Sequence, residues 1–302
     1  MNRKPAGAEE LTKPRRASQP RLLERQSVRL RILQAVMFVI LCILSLGFLF
    51  PIMWAMTASV KPLGDVYQFP PSLLIQHVQW SNYNQALSKL PFLRFMANTL
   101  IICVSSTSGQ VLAASLVGYA FARLNWRGRD VWFIVLLATM MLPGQILLIP
   151  QYLLYQTLGW VDTYKPLIIP PWLGGGAFFI FLFRQFFKGI PKEMEEAARL
   201  DGTSEWRIYW HIFMPNAKPV LATVGVMGFI GHWKDFMGPL IYLSDFQKYP
   251  ISLGLQMYNS LEGSWVNYLM AASIVALTPL LILFFVAQRQ FVRALLLTGS
   301  KG

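Results

Sequence analysis

Runs of apolar residues, several close to the length of a membrane crossing, dominate this chain, and shorter polar segments separate them. A bilayer core of roughly 30 Å is crossed by about 20 apolar residues in helical form. Six stretches meet that length: Ile32–Met56, Phe95–Phe121, Val131–Leu154, Pro166–Phe187, Pro219–Leu243 and Tyr268–Gln288. Backbone groups in lipid must find partners within their own segment, so all six are predicted as helices. The short alternating segments of a membrane barrel are missing from the sequence. The pattern therefore predicts an all-α integral membrane fold of about six transmembrane helices. A basic leader precedes the first stretch, as in a signal peptide. Its apolar run is too long for an ordinary signal core and five more spans follow, so it reads as a retained anchor.

Composition changes this picture little. The chain is 55% hydrophobic and 14% charged, where soluble domains carry about 25% charged residues. Charge adds orientation. A net charge of +13 in a soluble protein would suggest nucleic acid; in an apolar protein it suggests basic loops held on one side of a membrane. With the N-terminus inside, 21 of the 27 Lys and Arg residues fall on the cytoplasmic side, which predicts both termini in the cytoplasm. Their division among several membrane-flanking loops argues against a nucleic-acid partner. Three regions follow: a polar, basic leader over residues 1–31, expected to be unstructured; a transmembrane domain over 32–291; and a cytoplasmic tail over 292–302.

Candidate chemistry is sparse. Cys42 and Cys103 lie inside apolar runs, and His77, His211 and His232 are scattered. No metal site, cofactor or catalytic constellation is expected from such an arrangement. Gly174, Gly175 and Gly176 lack the Lys-Ser/Thr of a phosphate-binding loop. With Pro170 and Pro171 just before them, they are expected to break the fourth helix. Broken helices are tolerated where protein or a cavity satisfies the backbone, which makes Gly175 a candidate for a translocation path. Trp233 and Asp235 in the fifth span are candidates too, since an ionisable residue in a span points to function by default. The competing reading, which also covers Lys234, is ordinary anchoring near the outer interface.

The loop over 188–218 is the most informative segment. Pro191 suits a first helical position, Glu193, Glu195 and Glu196 suit the positive end of a helix, and Gly202 suits a left-handed stop. A helix of about 11 residues, roughly 16 Å long, is expected. Thr203 or Ser204 can cap a second helix, and Pro215 is expected to stop it at Met214. The first helix is short and acidic and needs a partner surface.

Glu196-Ala197-Ala198, then Gly202, Ile212 and Pro215, have the spacing of a known signature. The segment resembles that of binding-protein-dependent ABC importer permeases, with Met214 in place of the usual Leu and Asp201 typical of the sugar branch. The resemblance extends to Gly118-Tyr119-Ala120-Phe121-Ala122-Arg123, to Arg184-Gln185-Phe186-Phe187, and to Trp233, Asp235, Phe236, Pro239 and Leu240. Lys234 stands where Asn is common. The terminal Gln288–Arg293 segment and Lys301-Gly302 also match, with Ala294 for a usual Gly. The chain is similar to the second permease subunit of the maltose-type branch.

That resemblance implies a multi-pass subunit of a bacterial or archaeal cytoplasmic membrane that imports sugars or related solutes and is not itself an enzyme. Its implied partners are a second permease subunit, two ATP-binding ATPase subunits, an extracytoplasmic sugar-binding protein and the lipid bilayer. It places Glu195, Glu196, Ala197, Ala198, Asp201, Gly202, Ile212 and Pro215 at the ATPase contact. An ion-coupled secondary transporter and a scaffold subunit that never touches substrate remain open as alternatives.

Overall fold

The computed structural model describes the backbone over residues 20–70, 72–259 and 265–299, and side chains over residues 30–288 apart from 71 and 260–264. All regular structure among the described residues is helical. The chain divides into two units between Trp54 and Ala55. Helix α1, Pro20–Ser59, supplies the described part of the first unit. Its residues Leu30–Ser59 are long and apolar enough to cross a bilayer. The helix starts at Pro20 rather than Ile32, because Arg21, Leu22, Leu23, Glu24 and Arg25 are good helix formers that extend it beyond the continuous apolar run. The expected unstructured leader is thus helical over residues 20–31, and residues 1–19 lie outside the described residues.

The second unit continues with α2 (Leu63–Val66), α3 (Ser81–Lys89) and α4 (Phe92–Arg123). Next come α5 (Arg129–Thr139), a 3-10 turn at Gly144–Leu147 and α6 (Leu148–Thr157). The third predicted span is therefore not one rod: Arg129–Thr139 and Gly144–Thr157 meet at 91°. Pro143 disfavours helix at Leu142 and lacks a donor of its own, so the ladder ends there. The fourth span is α7 (Lys165–Gly174) and α8 (Ala177–Lys188), interrupted at Gly175 and Gly176 as expected.

After α8 the chain forms α9 (Glu193–Leu200), α10 (Glu205–Ile208), a π-turn (Tyr209–Phe213) and α11 (Met214–Asn216). Then α12 (Lys218–Lys234) and α13 (Met237–Tyr242) replace the single fifth span Pro219–Leu243, because the backbone becomes extended at Asp235. A 3-10 turn (Phe246–Lys248), α14 (Ile251–Met257) and α15 (Val266–Gly299) complete the chain. Helix α15 runs past the expected start of the tail, and residues 300–302 lie outside the described residues. Four helices, or up to six if each bent pair counts as one span, are long and apolar enough for a bilayer.

Helix α4 is the axis of the second unit, packing against α7, α8 and α12, while α12 also packs against α15. One core cluster joins Tyr119, Phe183, Phe187, Tyr209, Phe213 and Val224 at the Arg123 end of α4. A second joins Phe95, Cys103, Trp233, Tyr258 and Ala272 at the other end. A helix bundle in lipid gains little from burying apolar surface, so close approach and buried polar ties must hold it together. Gly175 shows why glycine is required at the α7–α8 break. Its φ is +62°, and a Cβ there would stand 2.4 Å from the Ala114 backbone nitrogen.

Candidate functional site

The loop between α8 and α12 is built from its two ends inward. The last turn of α8 leaves carbonyls without helical partners, and Arg123 from the end of α4 fills that need. Its Nε donates to the Phe187 carbonyl at 3.1 Å, and its Nη2 donates to the carbonyls of Phe187 and Ile190. A cation at a helix C-terminus is also favoured by the helix dipole. The guanidinium carbon lies 4.9 Å from the centre of the Phe213 ring.

Helix α9 begins after Lys192, whose carbonyl accepts from Glu195 and Glu196 N–H, each at 3.0 Å. It is 8 residues long, shorter than expected, because its ladder opens at the Lys192 carbonyl, which leaves Pro191 outside the helix, and ends at Leu200. Its end follows the sequence. Gly202 adopts φ +74°, Thr203 N–H donates to Ala198 at 3.0 Å and Gly202 N–H to Arg199 at 3.0 Å. These two bonds form the Schellman stop that a left-handed residue permits. Ser204 takes the extended N-cap conformation of the next helix, without a side-chain cap bond. That helix does not stop at Met214. The π-turn widens the ring ahead of Pro215, with Met214 N–H donating to Tyr209, so the proline ring is accommodated and helix continues to Asn216.

The two faces of α9 differ. Glu196, Ala197, Asp201 and Gly202 are exposed, with Glu193 and Leu200 beside them, and Leu200 is 89% exposed. Ala198 and Ile212 turn inward against the aromatic cluster, and Pro215 is exposed. Glu195 corrects the expectation that it meets a partner protein. It is 4% exposed, with Oε1 at 3.5 Å from Arg123 and 3.6 Å from Arg199, while its Oε2 is buried without a hydrogen-bond partner. The reason is helical phase: at 100° per residue Glu195 falls opposite Glu193 and Ala197, on the side where the buried Arg123 stands. Arg199 in turn donates to Glu205 at 2.7 Å, and the Tyr119 hydroxyl donates to the other Glu205 oxygen at 2.8 Å. Tyr119 and Arg123 of α4 thereby hold α9 and α10 together.

Sequence reasoning missed this joint. The only local signal was the Glu195–Arg199 spacing of four. The three residues considered for a translocation path are not brought into one site. Gly175 contacts α4, and Trp233 is buried against Phe229 at 5.4 Å. The Asp235 carboxylate accepts from Gly238 N–H at 3.1 Å, and its carbonyl accepts from Ser252 Oγ at 2.7 Å. Also unforeseen is Gln110 of α4, whose buried Oε1 has no partner and lies 2.5 Å from where a Gly228 Cβ would stand.

A further tie lies between α6 and α7. Asp162, at φ +60°, accepts from Lys248 at 2.7 Å and from the N–H groups of Ser244 and Asp245 at 3.0 and 2.9 Å. The Lys248 hydrogen bond, followed by those two N–H groups, holds the Asp162 carboxyl down at about 2.

Residues 110–296 match the family model described as the binding-protein-dependent transport system inner membrane component. The arabinooligosaccharides transport system permease protein AraQ of Bacillus subtilis is 27% identical over 281 residues, 92% of this chain and 99% of the relative. The sn-glycerol-3-phosphate transport system permease protein UgpE of Yersinia pestis bv. Antiqua is 31% identical over 256 residues, 82% of this chain and 90% of the relative. A chain of a bacterial ABC transporter involved in the import of the acidic polysaccharide alginate superposes with a TM-score of 0.76 and 27% identity, over 86% of this chain and 97% of that one.

Proposed function

The chain belongs to the family of binding-protein-dependent transport system inner membrane components, and from that premise we propose how it couples ATP to the import of a polyhydroxylated solute. It is a membrane-spanning permease subunit of an ABC importer, not an enzyme. The solute is an oligosaccharide or a polyol phosphate, in keeping with the arabinooligosaccharide and glycerol-phosphate permeases it is similar to. The complex contains a second permease subunit and two ATPase subunits and receives solute from an extracytoplasmic binding protein. Both termini and the α8–α12 loop face the cytoplasm of a bacterium or archaeon, in keeping with the bias of Lys and Arg.

The observation that carries the mechanism is the division of α9 into an exposed face and a buried one. Glu196, Ala197, Asp201 and Gly202 dock into a groove of an ATPase subunit, with Glu193 and Leu200 at the rim. Glu195 does not dock: through Arg123 it joins α9 to the ends of α4 and α8. Closure of the ATPase pair moves α9, and the bundle end follows as a body. ATP biases the two arrangements only through their difference in contact energy at this face.

Reconstitution tests this. Proteoliposomes holding the four subunits and the binding protein should take up labelled arabino-oligosaccharides or glycerol phosphate only with ATP inside. Photocrosslinkers at Glu196 and Leu200 should capture the ATPase. Uptake driven by an ion gradient without ATP, or crosslinks to no ATPase, would end the reading.

A further inference from the structure

We propose that the arm from Glu205 to Asn216 lies flat in the headgroup layer of the cytoplasmic leaflet, with Trp206 and Trp210 among the lipids and Arg207 and Lys218 facing their phosphates. The inference rests on the reading that this end of the bundle faces the cytoplasm.

Direction comes first. The arm and α12 meet at 79°. Membrane helices tilt on average about 20° from the bilayer normal, so an arm nearly perpendicular to α12 runs close to the membrane plane. Level comes second. The Tyr209 and Phe213 rings lie 5.3 and 4.9 Å from Tyr119, and Phe213 lies 5.5 Å from Phe187. Tyr119 and Phe187 belong to the last turns of α4 and α8, beside Arg123 and Lys188. Basic residues closing apolar spans mark the depth at which helices leave the hydrocarbon. The arm is packed at that depth.

Its surface is the third observation. Ile208, Tyr209 and Phe213 are buried in the bundle, while Trp206 and Trp210, one turn apart with rings at 5.8 Å, are 60% and 37% exposed. Arg207, which follows Trp206, and Lys218, the first residue of α12, are exposed as well. Indole rings with a basic fringe suit the boundary between acyl chains and anionic headgroups. The outward side of α9 is the opposite: Glu193 and Glu196 repel an anionic leaflet. The loop thus separates a protein-facing acidic helix from a lipid-facing aromatic arm.

The test uses the assembled transporter in nanodiscs containing phosphatidylglycerol, with Cys42→Ala and Cys103→Ala removing both native cysteines. Nitroxides at Trp206→Cys and Trp210→Cys should show collision rates shifted toward oxygen and away from a nickel chelate, with and without the ATPase. A nitroxide at Leu200→Cys should show the reverse shift and lose nickel access only when the ATPase binds. Should Trp206→Cys prevent assembly, Arg207→Cys reads the same strip. Nickel access at 206 and 210 equal to that at 200 overturns the proposal. So does protection at 206 and 210 that arrives only with the ATPase or the second permease subunit. Crosslinking of α9 to the ATPase is read separately, so failure of the arm leaves the coupling reading standing.

Discussion

Arg123 and Glu195 should prove unequal when each is changed alone. Both side chains are almost fully enclosed, at 3% and 6% exposure, so screening by solvent is slight. Arg123→Met removes the cation from Glu195 and also the donors from the Phe187 and Ile190 carbonyls. Removing one partner of a buried pair costs about 3–5 kcal/mol, and Arg123→Met should fall in that range. Glu195→Gln keeps the shape and an acceptor, and Arg123 retains its two carbonyls, so the loss should be about 1–2 kcal/mol. The double variant should be less damaged than the sum, by about 0.5–3 kcal/mol. Unfolding of the detergent-purified complex gives the four corners of this cycle. The ratio of uptake to ATP hydrolysis in proteoliposomes gives the functional counterpart, and Arg123→Met should hydrolyse ATP with little uptake. Equal losses and strict additivity would show that the two residues act separately and that the joint between α9 and α4 is not the ion pair.

Glu196→Lys, on the exposed face of α9, should leave insertion intact and abolish coupled uptake; normal uptake would remove this residue from the docking face. Gly202→Ala meets no steric obstacle but must hold a left-handed backbone, at a cost of about 1–2 kcal/mol, so uptake should fall while expression holds. Gly175→Val forces a side chain into the Ala114 backbone and should prevent a stable complex, read as loss of a monodisperse peak in size exclusion. The Asp162 carboxyl is held at about 2, below its unfolded value of about 3.9. Its contribution to the Lys248 tie is therefore complete above the unfolded value and lost as pH falls from about 4 toward 2. Protection of the Ser244 and Asp245 amides, measured against their intrinsic exchange at each pH, should hold down to pH 4 and weaken below it in wild type, and be weak throughout in Asp162→Ala.

The spans were legible because lipid demands length and apolarity, and α1, α4 and α15 supply both in continuous runs. Their bends were less so. Pro143-Gly144 writes the 91° turn in plain residues, but the unbroken apolarity from Val131 to Leu154 outweighed it in a reading based on length. The break at Gly175 was legible; the Ala114 contact that requires it was not, because the two are far apart in sequence. Glu196, Ala197, Asp201 and Gly202 were singled out by their resemblance to a family signature, and the structure leaves them exposed. Glu195 could not be separated from them by composition. Its direction depends on Arg123, 72 positions earlier, and on a helical phase that a shift of one residue at Pro191 would change. Pro215 misled for a related reason: a π-turn absorbs the ring, and no local residue type announces a π-turn.

The interruption at Gly175 and Gly176 shortens a lever. A straight rod over the 24 residues from Lys165 to Lys188 would be about 36 Å long, whereas the 12 residues of α8 make a segment of about 18 Å. A turn of about 10° applied at Lys188 then carries the far end of α8 about 3 Å instead of about 6 Å. The difference is taken up in two glycines halfway across. Rotation of α8 about Lys188 is therefore not carried to Lys165 as one rigid rod, because the two glycines separate α8 from α7.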